Sequence, residues 1–127
     1  MRPMPGSSAV RAVRGATTVD EDTPEQISVR VQELLAQIME RNGLVEDDVI
    51  SVLFTATPDV VSMFPATAAR EVGFGAVPLL CAQEIPVVGS TPQCVRVLIH
   101  VTTERGRDEL HHVYLHKAQG LRDDLPT

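Results

Sequence analysis

Between Val72 and Thr103 the chain carries only two charged side chains, Glu84 and Arg96. Each is a lone charge in a segment that otherwise has the composition of a protein interior, so this quarter of the chain is expected to be largely buried. Its core is Cys94–Thr102. Alternation puts Val95, Val97, Ile99 and Val101 on one face and Cys94, Arg96, Leu98 and His100 on the other. The first face is β-branched core, whereas the second sets a guanidinium among apolar neighbours. An unpaired buried guanidinium costs about several kcal/mol, so Arg96 requires an anion. Glu84 is the candidate within the same apolar stretch, and a carboxylate from a ligand is the alternative. From the pattern alone, a structural Arg96–Glu84 pair and a ligand site both remain open.

The rest of the chain supplies the elements around that strand. Val10–Val19 alternates as a strand, with Arg14 embedded beside Val13 and Gly15, where a residue without a side chain permits close approach of backbone or ligand. A helix start follows: Thr23 as N-cap, Pro24 in the first turn and Gln26 completing a capping box. Ile27, Val31, Leu34, Leu35, Ile38 and Met39 repeat at helical spacing until Asn42-Gly43 ends the pattern. A β-rich run occupies 49–56, a second, shorter helix is predicted from near Pro65 to Gly73, and short strands are predicted at 77–81 and 111–115. The order βαβαβββ predicts an α/β (α+β) chain, a mixed sheet with two helices on one face. Two helices cannot cover both faces, and another subunit is the simplest cover for the second. Residues 1–8 are predicted to be a disordered extension, 9–122 the domain and 123–127 a flexible tail.

Composition removes several function classes. With 127 residues there is one domain, and a deep pocket would consume most of its core, so a site between subunits is expected. A net charge of −6, no Trp and 3% aromatic residues argue against nucleic acid. No stretch is long enough for a membrane span, and the N-terminus lacks the apolar region of a signal peptide, so a cytoplasmic protein is expected. Cys81 and Cys94 lie in apolar runs and are expected to be reduced. His111, His112 and His116 do not have metal-ligand spacing, so no metal site is expected. Ten of the eleven cations are Arg. The guanidinium fork binds both carboxylate oxygens, so Arg14 and Arg96, with Arg70 and Arg122 near element ends, suit a small dicarboxylate.

Five stretches then carry a family resemblance: Arg14-Gly15-Ala16-Thr17-Thr18-Val19; Ala56-Thr57-Pro58-Asp59 with Phe64-Pro65-Ala66; Cys81-Ala82-Gln83-Glu84; Cys94-Val95-Arg96-Val97; and His112-Val113-Tyr114-Leu115 with Leu121-Arg122. In this order and spacing, from about Val10 to Leu125, the chain resembles the monofunctional AroH-type chorismate mutases. The resemblance implies a pseudo-barrel homotrimer with active sites at subunit interfaces, converting chorismate to prephenate by a Claisen rearrangement in phenylalanine and tyrosine biosynthesis without a cofactor. It implies Arg96, Glu84 and Arg14 as catalytic. Around them it implies substrate contacts from Leu79, Leu80, Cys81 and Tyr114, with Phe64, Ala66, Thr67, Arg70, Leu121 and Arg122 closing the site, much of this second set from a neighbour. Thr67 stands where the family usually has lysine, and Leu80 where it usually has threonine. The expected result is weaker carboxylate steering, offset by Arg70 or Arg122. Two other readings are an imine deaminase on a similar trimeric scaffold, whose surrounding pattern is not found here, and a non-catalytic metabolite-binding module, which would not need Glu84, Arg96 and Arg14 together.

Overall fold

The computed structural model describes residues 7–121; residues 1–6 and 122–127 lie outside it, and with them Arg122, the expected C-terminal tail and most of the expected N-terminal extension. The elements are β1 (Ala9–Thr18), α1 (Pro24–Arg41), β2 (Val49–Ala56), α2 (Pro65–Ala69), β3 (Leu79–Gln83), β4 (Cys94–Thr103) and β5 (Val113–Tyr114), with single 3-10 turns at Glu46–Asp48, Arg107–Glu109 and His116–Ala118.

Thr23 caps α1 as expected, but the capping box is only half formed, because the Thr23 amide bonds to the Glu21 carbonyl and not to Gln26. Thr23 Oγ1 accepts the Gln26 amide at 3.2 Å, and the Gln26 side chain reaches back to the amides of Asp20 and Glu21. Such a cap contributes about 1 kcal/mol by satisfying donors the helix cannot. At the other end the Asn42 side chain donates to the Ile38 carbonyl at 2.9 Å, and Gly43 takes φ 61° to turn the chain away. Ile27, Val31, Leu34, Leu35 and Ile38 are all buried on one stripe.

The five strands form one mixed sheet in the order β3-β2-β4-β1-β5. β4 runs antiparallel to both β1 and β2, while β2 with β3 and β1 with β5 are parallel pairs. α1 packs on β1 and β5, α2 on β2 and β3, and the helices touch each other. Both therefore cover the same face, as expected. That face holds the main core, in which Val13, Val52, Phe54, Val95, Val97, Ile99 and Val101 meet the α1 stripe. Gly15, expected to permit close approach of backbone or ligand, does so toward the helix. A Cβ there would lie 2.7 Å from Ile38 Cδ1 and 3.1 Å from Leu34 Cδ1, so its missing side chain is what lets α1 sit close on β1.

Three expected boundaries shift. β3 begins at Leu79 rather than Val77, because its pairing with β2 starts where Val52 takes the Pro78 carbonyl. α2 is α-helical only to Ala69; Arg70–Phe74 is a wider turn that closes at Gly73, whose φ of 105° suits glycine. β5 shrinks to two residues because the backbone of His111 bonds to the Asn42 side chain, 2.7 Å from its amide and 2.9 Å from its carbonyl. A residue clamped to a helix end cannot also pair with β1.

Candidate active site

The uncovered face of the sheet carries the charges. Register places Arg14 opposite Leu98, and Ala16 and Thr55 on either side of Arg96. Because alternation continues past β3, with the Glu84 amide bonded to the Ala56 carbonyl at 2.9 Å, the Glu84 side chain falls on this face too. Its Oε2 accepts the Thr55 hydroxyl at 2.6 Å and lies 3.0 Å from Arg96 Nε. The ion pair anticipated for the two isolated charges therefore exists, yet it does not consume the arginine. The Nε–H is not aimed at the carboxylate: this buried atom has no hydrogen-bond partner among the described residues. Glu84 neutralises the guanidinium and leaves directed donors for something else.

Arg14, Gly15, Leu53, Thr55, Arg96, Val97, Leu98 and Tyr114 line one concavity of about 250 Å³ on this face. It has apolar walls, two guanidinium groups and a phenol, which is the chemistry for a small anion with an apolar frame. A larger hollow of about 760 Å³, between α1 and the segments 44–47 and 72–74, contains Glu46 and Asp47 and no cation, so it would repel the same ligand. Among the described residues there is no cluster of three or more His, Cys, Asp or Glu able to hold a metal ion, and no helix long and apolar enough to cross a membrane.

The remaining expected residues divide. Leu80, 65% exposed, lies on the same face as Arg96, at the β3 edge. Leu121 packs with Tyr114 of its own chain against Ala16, Cys94 and Ala118. Phe64, Thr67 and Cys81 line a second hollow, of about 490 Å³. Cys81 pairs with the buried Phe54, and Leu79 with Val52, so both point to the helix-covered side, away from Arg96. Ala66 is buried, Phe64 is 69% exposed, and Arg70 is exposed at the end of α2. The loop carrying Phe64 is fixed by Asp22, which accepts the Val61 and Ser62 amides and the Ser62 hydroxyl at 2.8–3.2 Å. Burial disfavours the charged form of Asp22, but these bonds outweigh it and hold the carboxyl below its ordinary pKa.

Cys94, on the face of Arg96, is fully buried. Burial pushes its thiol up to about 11, against the pull of the Arg96 charge. It is a packing residue, not a nucleophile. Sequence reasoning missed Thr55, Leu53 and the structural part of His112. The signal for Thr55 was present, as an inward hydroxyl in an apolar run, but it acquires meaning only through its register with Arg96.

Residues 10–125 match the family model described as chorismate mutase type I. A chorismate mutase AroH of Thermus thermophilus is 49% identical over 119 residues, covering 93% of this chain and 98% of that protein. Its counterpart in Bacillus subtilis (strain 168) is 44% identical over 117 residues, covering 91% and 92%. A solved chorismate mutase from Clostridium thermocellum superposes with a TM-score of 0.84 at 46% identity, covering 86% of this chain and 97% of that one.

Proposed function

The chain belongs to the type I chorismate mutase family, and from that membership we propose how its residues isomerise chorismate to prephenate. A pericyclic rearrangement needs no nucleophile and no proton transfer, so neither a triad nor an acid–base pair is required of the site. What it needs is a compact substrate conformer and stabilisation of charge that develops as the C–O bond breaks. Arg96 faces the ether oxygen and meets its growing negative charge. The observation that carries this role is the buried Nε–H, 3.0 Å from Glu84 Oε2 but not bonded to it. Glu84, held by Thr55, binds the ring hydroxyl and favours the electron-poor ring fragment. Arg14 and Tyr114 hold a carboxylate, and Leu53 and Leu98 exclude water.

The site is completed by a neighbouring subunit in a homotrimer. Phe64 and Thr67 lie on the helix-covered side of the sheet and Arg96 on the other, so one chain cannot set these groups around one ligand, whereas a second copy can. Leu80 on the open face and the exposed Phe64, Ile85, Val87 and Val88 offer apolar surface for that contact. Arg70 or Arg122 supplies the entrance charge that Thr67 does not. The protein acts in the cytoplasm, without metal or cofactor.

Loss of the chorismate diene absorbance tests the activity: accelerated conversion to prephenate is expected, and a rate no faster than the spontaneous one would refute it. Sedimentation should give three times the monomer mass; a monomer that turns over chorismate would refute the shared site.

A further inference from the structure

Tyr114 and Arg14 lie on neighbouring strands that share only two residues of backbone pairing, Gly15 with Val113 and Ala16 with Tyr114. Just before that short ladder, the Arg14 amide points toward a stretch of chain that offers it no backbone carbonyl. It donates instead to His112 Nδ1 at 2.9 Å, across 98 residues of sequence. His112 is itself held, because its neighbour His111 is clamped on both backbone groups by the Asn42 side chain at the end of α1. The helix end thus fixes the imidazole, the imidazole fixes the amide of the arginine, and two residues after the imidazole, in β5, stands the tyrosine.

We propose that His112 is a positioning residue for the carboxylate-binding side of the site, its neutral imidazole accepting the Arg14 amide and so holding Arg14 beside Tyr114. This rests on the reading of Arg14 and Tyr114 as the carboxylate-binding pair. The bond requires Nδ1 to be an acceptor, so the proton must sit on Nε2, and an imidazolium cannot make it at all. The surroundings keep the ring neutral. His112 shares a concavity of about 400 Å³ with Arg11 and Arg14 of β1, His100 of β4 and Arg107 of the turn before β5, and no carboxylate lines it. The α1 carboxylate that reaches this end of the chain, Glu33, is engaged with His116 at 2.7 Å. Burial, with the adjacent His111 adding to it, lowers the pKa of His112 from 6.5.

His112→Ala and His112→Asn separate positioning from mere packing. The asparagine Oδ1 occupies nearly the place of Nδ1 and accepts at every pH, while alanine offers nothing. At pH 7.5 the alanine variant should raise KM for chorismate about 3- to 10-fold with kcat within about twofold, the size of one lost hydrogen bond acting on binding. The asparagine variant should return KM to within about twofold of wild type. Below pH 6.5 the wild-type KM should climb as the imidazole takes up its proton, and in His112→Asn that limb should vanish. Equal KM in wild type and alanine variant, an asparagine variant no better than alanine, or an acid limb that persists in His112→Asn would each overturn the proposal. If the alanine variant does not fold, the pH profiles of wild type and His112→Asn still decide. A wild-type protein without chorismate turnover would bring down the functional reading and this proposal together, whereas an active wild type with indifferent variants would remove the proposal alone.

Discussion

The two faces of β1 and β4 are built from the same strands and do opposite work. On the helix side, Val13, Gly15, Val95, Val97 and Ile99 are buried and carry no unmet charge. On the open side, residues one step along the same strands leave Arg14 exposed and Arg96 with an unspent donor. Stability lives on the first face and recognition on the second, and a period of two keeps them from interfering. Substitutions on one face should therefore move the unfolding midpoint, and substitutions on the other should move turnover.

The largest effect expected on the helix side is from Leu34→Ala. Leu34 is fully buried between α1 and β1, and truncation should cost about 2–5 kcal/mol of stability, read from denaturant unfolding at fixed protein concentration. The folded fraction should keep its kcat within about twofold. A large loss of kcat in fully folded Leu34→Ala would mean that the faces are coupled. Arg96→Lys is the converse test. Lysine keeps the charge but not the directed fork, and kcat should fall at least about 100-fold, or about 2.7 kcal/mol of transition-state stabilisation, with the unfolding midpoint unchanged. Near wild-type turnover would remove Arg96 from its assigned role.

Gly15→Ala tests the seam between the faces, because the residue contacts α1 on one side and lines the Arg96 concavity with its backbone. The new methyl would press on Ile38 Cδ1, which can swing away, and lie 3.2 Å from the Val113 carbonyl, which cannot. Overpacking offset by the entropy that alanine removes from the unfolded chain gives a net loss of about 1–2 kcal/mol. Any change in KM should be smaller than for His112→Ala. A stabilised Gly15→Ala would show that α1 is not held at its closest approach.

How much of this was legible in the sequence follows the same division. The helix side was readable because it obeys periodicity: the α1 caps and stripe and the alternation in β4 are local patterns with one solution. Glu84 and Arg96 could be singled out, but the pattern alone could not say whether their pairing was the whole story. That depends on the angle at Nε, which no sequence encodes. The length of β5 and the link from His112 to Arg14 were invisible because they arise from side chains of distant residues, Asn42 and His112, replacing backbone partners. The side of Cys81 followed from register, which is fixed only when β3 finds β2. Family resemblance named residues without their positions: it did not place Leu121 beside Tyr114 or Leu79 in the core.

Cys94 gives the smallest and most local test, because it lies on the open face and is nonetheless buried, beneath the turn that contains Ala118. If that corner is as dry as the helix side, burial must outweigh the Arg96 charge at the thiol, which is pushed up to about 11 from 9.0. The sign follows from the raised value. The unfolded chain releases the thiol proton from about pH 9 upward while the folded chain retains it, so Cys94 should begin to destabilise the fold above pH 9 and do so increasingly toward pH 11. Stability of wild type and Cys94→Ala compared at pH 7.5 and pH 10 isolates that contribution. Alanine leaves a small cavity at both values, so only the difference between them counts: wild type should lose more stability over this interval than the variant. Equal losses would mean that the thiol is not desolvated, and that the open face is wet to its end. The dry corner behind Arg96 would then be absent, and the charge on Arg96 would be screened by water before substrate arrived.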